Sequence, residues 1–183
     1  MTPRPGDGTG VLDLDLALGD QKVRTLGNVE PGQKVDVQVL LSQEIARVVG
    51  FLVVVTFDPS KLSVVSGRRD GVFAEAVDLP VQIDGNTVKY GASFLGQTKT
   101  VKGAVAILTF QALSGFSGDT EILLKTLTIR ITGSDNNFAP GASIVLIAAE
   151  KGIEAISGDA DRDGDVDFED FFISGNKFWQ DRT

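Results

Sequence analysis

From Val11 to Ala149 the apolar residues recur with period two, and no stretch carries the 3.6-residue period of a helix. That restricts this part of the chain to β-structure. Leu12, Leu14, Leu16 and Leu18 alternate with Asp13, Asp15 and Ala17, as in a strand that buries one face. After Gly27-Asn28 and the turn Glu30-Pro31-Gly32-Gln33, a second alternating run places Val35, Val37, Val39 and Leu41 on one side. The run from Val48 to Phe57 is apolar on both faces and rich in β-branched residues, the mark of a central strand, and Asp58-Pro59 ends it. Further strands are expected at Leu62–Ser66, Val81–Asp84, Thr87–Ser93, Gly103–Leu113, Thr120–Leu127 with a continuation towards Ile131, and Ala142–Ala149. Asp84-Gly85-Asn86 suits a hairpin turn. About nine short strands separated by regular turn signals predict an all-β sandwich of Greek-key or jelly-roll type.

The last 26 residues follow another rule. Asp159, Asp161, Asp163, Gly164, Asp165, Val166, Asp167 and Asp170 occupy positions 1, 3, 5, 6, 7, 8, 9 and 12 of a twelve-residue EF-hand calcium loop, with Asp at 12 in place of the usual Glu. Calcium takes six to eight oxygen ligands, so a loop wrapped around it turns an oxygen inward at nearly every second residue. Asp159, Asp161 and Asp163 would do so with side chains, Asp165 with its carbonyl and Asp167 through water, while Asp170 closes the shell. Seven carboxylates among twelve residues, offset only by Arg162, repel one another without the ion and then form a solvated acidic run. Calcium is therefore the expected cofactor.

Asp167 can cap a helix that begins at Phe168. At 100° per residue Phe168, Phe171, Phe172, Phe178 and Trp179 fall in one stripe with Gly175 at its centre, while Glu169, Asp170, Lys177 and Gln180 lie outside it. One helix cannot bury such a stripe alone. A partner surface is required, either the chain's own sandwich, favoured by the high effective concentration of a short tether, or that of a neighbouring copy in a head-to-tail contact. The expected organisation is a linker over 1–10, a sandwich over 11–150, a short linker over 151–157, and the calcium loop with one C-terminal α-helix over 158–183.

Composition excludes several functions. The chain has neither Cys nor His, so thiol nucleophiles, disulfides, the usual zinc sites and imidazole catalysis are absent. The net charge of −8 comes mostly from residues 158–183, with eight acids and three bases, and no basic stripe suggests nucleic acid as a partner. No apolar run reaches the length of a membrane span, and the N-terminus lacks the basic start and apolar stretch of a secretory signal. Asp70, Glu75 and Asp78 are the scattered carboxylates a hydrolase could use, but they fall in an expected loop and read as solvated surface, so no catalytic residue is assigned. Gly133-Ser-Asp135-Asn-Asn-Phe138 could form a second metal site, though turn-forming Asn and Asp account for it more simply.

The order of these features resembles a cohesin domain, the β-sandwich receptor of cellulosome-type assemblies. The residues that carry the resemblance are Glu30-Pro31-Gly32 before Val35–Leu41, Phe57-Asp58-Pro59-Ser60-Lys61-Leu62 after the central strand, and Phe94-Leu95-Gly96 before the strand with Ala106-Ile107-Leu108-Thr109-Phe110. Residues 158–183 resemble one half of a dockerin, the calcium-dependent ligand of cohesins; a dockerin usually has two such loops, and here there is one. The resemblance implies a calcium-dependent protein-binding or scaffolding module that is not an enzyme. It would work outside the cell or at a bacterial cell surface, with cohesin-like or dockerin-like modules as partners. A carbohydrate-binding module is the alternative, because such modules share related sandwich folds, but the sandwich has no Trp and its one Tyr, Tyr90, lies in a strand.

Overall fold

A computed structural model describes residues 9–149. The calcium loop and the aromatic segment lie outside the described residues. Eleven strands appear among those described: β1 (Gly10–Asp13), β2 (Thr25–Val29), β3 (Lys34–Thr56), β4 (Leu62–Arg69), β5 (Val77–Asp78), β6 (Gln82–Asp84), β7 (Thr87–Ser93), β8 (Lys99–Ala112), β9 (Asp119–Ile131), β10 (Ser134–Phe138) and β11 (Ala142–Ala148). The fold class is all-β, as the alternation requires.

The two runs expected as separate strands, Val35–Leu41 and Val48–Phe57, are halves of one 23-residue strand, β3. Its first half pairs with β1 and β8, and β8 pairs in turn with β4. Its second half lies between β7 and β9, and β9 carries β11, which pairs in parallel with β2. The register slips between Leu41 and Val48, where Arg47 has a positive φ of 58°. One hydrogen-bonded sheet thus folds back on itself into two layers. The polar run Ser42-Gln43-Glu44 hid this continuity, because it resembles a loop in sequence.

The inner faces follow the alternation. Val35, Val37, Val39 and Leu41 of the first layer meet Phe51, Val53, Val55, Tyr90, Leu127 and Ile129 of the second in one buried cluster. Phe57 and Phe110 pack edge to face with ring centres 5.6 Å apart. Residues 70–78 are for the most part exposed, as expected from their carboxylates, but they form ordered turns and not a plain loop. Asp70 caps a 3₁₀ turn, Gly71–Glu75, by accepting from the Gly71 N–H at 2.8 Å, and the turn drives Phe73 fully into the core against Phe51 and Phe94. Asp70 also accepts from Gln38 Nε2 at 2.7 Å. Asp78 accepts from the Tyr90 hydroxyl and pairs with Arg69 at 3.1 Å. Glu75, paired with Lys99, and Asp78 are exposed as expected, while Asp70 is half-buried.

Gly71 has φ of +54°, and a Cβ there would lie 2.4 Å from the Ala104 carbonyl oxygen. Gly71→Ala therefore combines left-handed backbone strain with a backbone clash, and is expected to lower unfolding free energy by about 2–3 kcal/mol in urea titrations.

The first expected strand is also corrected. β1 stops at Asp13; Leu14 is half-buried, but Leu16 is 42% and Leu18 97% exposed. The cause is Asp13, placed on the polar side of the alternation yet fully buried. Its carboxylate accepts from the backbone N–H groups of Asp15 (3.1 Å), Gln21 (2.5 Å), Lys22 (2.9 Å) and Val23 (3.1 Å), and Arg24 Nη1 lies 3.3 Å away. The chain consequently leaves the sheet and loops around one side chain before entering β2.

Candidate functional surface

The second half of β3 is apolar on both sides, but only one side belongs to the core. Paired residues share a face, so Gly50, Leu52, Val54 and Thr56 point outward with Ser93, Gly91, Lys89 and Thr87 of β7. On the other flank Arg130, Thr128, Thr126 and Leu123 of β9 lie beside them. Leu52 and Val54 form a half-buried apolar column through the middle of this outer face.

Two glycines keep the face low at its centre. Gly50 and Gly91 contribute no side chain, and Leu79, held by its N–H to the Gly91 carbonyl at 2.8 Å, covers Gly91. Val77 and Leu79 are 50% and 49% exposed and extend the apolar surface towards the edge. Asp78 lies between them and anchors this edge through Tyr90 and Arg69. Burial, followed by the Asp78 carboxylate, pushes the Tyr90 phenol well above its ordinary range, so it remains a hydrogen-bond donor.

The opposite rim is fixed by the β9–β10 hairpin. Arg130 holds Asp135 through two bonds of 2.9 and 3.1 Å, and Thr128 Oγ1 donates to Asn137 Oδ1 at 2.7 Å. The hydrogen bond from Arg130 keeps the Asp135 carboxyl below its usual range. Gly133–Phe138 is thus a hairpin whose acid is already paired with a cation. Between the rims lies a cleft of about 330 Å³, lined by Leu52, Leu79, Ser93, Thr128 and Arg130 among others.

A larger groove of about 670 Å³ lies at the end of the same face, between Asp58, Asn86, Asp119, Glu121 and Val145. The Asp58 carboxyl is held below its usual range by the Ser60 hydroxyl and the Ser60 N–H. Among the described residues no three acidic side chains converge as metal ligands would.

The residues expected to bind calcium (Asp159, Asp161, Asp163, Asp165, Asp167, Asp170) and to form the docking stripe (Phe168, Phe171, Phe172, Phe178, Trp179) all lie outside the described residues. The sequence did not mark out this outer face. Its one signal was a strand apolar on both faces, which also fits a strand buried on both sides.

No protein-family model matches the chain, and no curated protein does. Solved structures do. A cohesin module of a Clostridium perfringens family 33 glycoside hydrolase aligns with TM-score 0.56 and 10% identity, over 77% of this chain and 97% of that one. The third cohesin of Acetivibrio cellulolyticus ScaC, solved in complex with the ScaB dockerin, aligns with TM-score 0.52 and 12% identity, over 76% and 99%. A non-cellulosomal cohesin from Archaeoglobus fulgidus gives 0.51 and 14%, over 78% and 94%. The described sandwich shares the fold of these modules.

Proposed function

We propose that the chain is a calcium-dependent protein-binding module whose outer β9–β3–β7 face receives the aromatic C-terminal segment of a neighbouring copy. The observation that carries this reading is the apolar column Leu52–Val54, extended by Leu79 and left uncovered by any other described element. Its natural complement is an amphipathic helix that cannot bury its own stripe, which is what residues 168–179 encode. A cohesin of this fold has been solved with a dockerin, which supports the same class of partner here.

A head-to-tail contact of this kind propagates unless it closes. The millimolar calcium outside cells suits a single loop of this type, which supports a role outside the cell or on its surface.

The carbohydrate-binding alternative gains no support. Sugar stacking needs exposed planar rings, and among the described residues Tyr90 is buried along with Phe51, Phe57, Phe73, Phe94, Phe110 and Phe116, while Phe138 packs half-buried against the core. Catalysis gains none either, since Asp70 and Asp78 are engaged in holding the fold.

Sedimentation velocity of the whole chain tests the reading. Association is expected to grow with added calcium and to vanish in Leu52→Asp or in Leu79→Asp, the latter at a half-exposed edge position where folding is not at stake. Mixing Leu52→Asp, with an intact segment, and Asp161→Ala, with an intact face, should restore a one-to-one pair. A chain that remains monomeric at all calcium levels, or that still associates when both leucines are replaced, would refute it.

A further inference from the structure

The outer face is electrically asymmetric along its length. Lys89 of β7 and Lys125, bulged from β9 beside Thr126, flank Val54 from both sides. Both are exposed, and neither has an ion-pair or hydrogen-bond partner among the described residues. Arg130, further along, is already paired with Asp135. The other end of the face has the opposite sign. Asp58, Asp84, Asp119 and Glu121 lie there, and a nearby cation, Lys61, turns its Nζ to the Asp119 carbonyl at 2.5 Å. Four residues of β9 separate Lys125 from Glu121, about 13 Å along the strand.

The C-terminal segment is asymmetric as well. Residues 159–170 hold seven carboxylates against Arg162, and a bound calcium cancels only two of those charges. Residues 171–183 hold Lys177 and Arg182 against Asp181. A helix from Phe168 to Arg182 would be about 21 Å long, comparable with the six residues of β9, about 20 Å, from Lys125 to Asp119.

Resting on the binding reading above, we propose that the face accepts the segment in one direction only, with the acidic loop end over Lys89 and Lys125 and the C-terminus towards Asp119 and Glu121. The reverse direction would set the loop carboxylates against Asp58, Asp119 and Glu121, and like charges brought together at an interface suppress the wrong register. Lys89 and Lys125, on either side of Val54, therefore act as residues that determine orientation and specificity.

The test uses two full-length chains, Leu52→Asp as segment donor and Asp161→Ala as receptor. Lys89→Glu with Lys125→Glu in the receptor is expected to weaken their pairing at least tenfold at low salt. It should also reverse the salt dependence: the parent pair loosens as salt rises, because attraction is screened, and the variant tightens, because repulsion is. Direction is read separately, since the chain has no cysteine of its own. A donor with Thr183→Cys should cross-link to a receptor with Glu121→Cys and not to one with Arg130→Cys. Unchanged affinity and salt response in the lysine variant, or cross-linking to position 130 instead, would overturn the orientation while leaving the binding reading intact. Absence of any complex between the two parent chains would remove that reading itself, and the orientation with it.

Discussion

Asp13→Ala is expected to lower the unfolding free energy by about 3–5 kcal/mol, the usual cost of removing one partner from a buried, fully engaged charge. The carboxylate has no exposed surface and is surrounded by four backbone N–H donors and Arg24. Deleting it leaves those donors facing a cavity, and each unpaired buried donor costs about 1–3 kcal/mol unless it reaches water. The chain can limit the loss by opening the segment from Leu14 to Arg24, which is why the total stays below the sum. For a sandwich of this size the melting temperature should fall by roughly 10 °C. Urea denaturation measures the total. Hydrogen exchange locates it, with the amides of Gln21, Lys22 and Val23 losing protection first. Asp13→Asn keeps one acceptor and the shape of the side chain, so about half the loss is expected.

The same carboxylate sets a pH dependence with a definite sign. Burial pushes the Asp13 pKa up, but the N–H groups of Asp15, Gln21 and Lys22 outweigh it, and the net direction is downward. A group whose folded pKa is depressed contributes stability above its unfolded value of about 3.9 and loses that contribution as pH falls through the folded pKa. The wild type should therefore approach Asp13→Ala in stability only in strong acid. A constant difference between the two from neutral pH down to pH of about 2 would show that Asp13 acts by shape and not by charge.

What the sequence conveyed, and what it withheld, follows from the range of the forces involved. Period-two alternation is local, so Thr87–Ser93 is where it was expected, and Val35, Val37, Val39 and Leu41 face inward. Asp13 was hidden because its partners are up to eleven residues away, and an aspartate in an alternating run looks like any solvent-facing polar residue. Leu16 and Leu18 continued the pattern after the physical reason for it had ended. Phe73 lacked any periodic context, since a five-residue 3₁₀ turn is too short to show one. The outer face formed by Leu52, Val54 and Leu79 arises only when β3, β7 and the edge beside Gly91 are brought together, and that is a property of topology. By contrast, the expected twelve-residue calcium loop, which lies outside the described residues, is an inference from spacing alone, because all its expected ligands come from one contiguous stretch.

Calcium should control the second of the large effects. The whole chain is expected to bind one calcium ion per molecule by titration calorimetry, with dissociation constant in the range of about 10⁻⁴ to 10⁻³ M for extracellular modules of this type. Asp161→Ala removes the ligand at position 3, and with it measurable binding at that concentration. The linkage to folding then works in one direction. An ion that binds only the ordered loop stabilises it by RT ln(1 + [Ca]/Kd), so raising calcium to 100 times Kd adds about 2.7 kcal/mol to that segment. The sandwich has a closed core of its own, and among the described residues it offers no site where three acids converge on an ion. Chelation should therefore abolish association between copies while leaving the urea midpoint of the sandwich where it was. If chelation instead lowers that midpoint, or if Asp161→Ala binds calcium as the parent does, the ion is held elsewhere and the C-terminal loop is not the switch. If the midpoint holds and association is lost, then the sandwich is the permanent receptor and the ion decides only when its ligand exists.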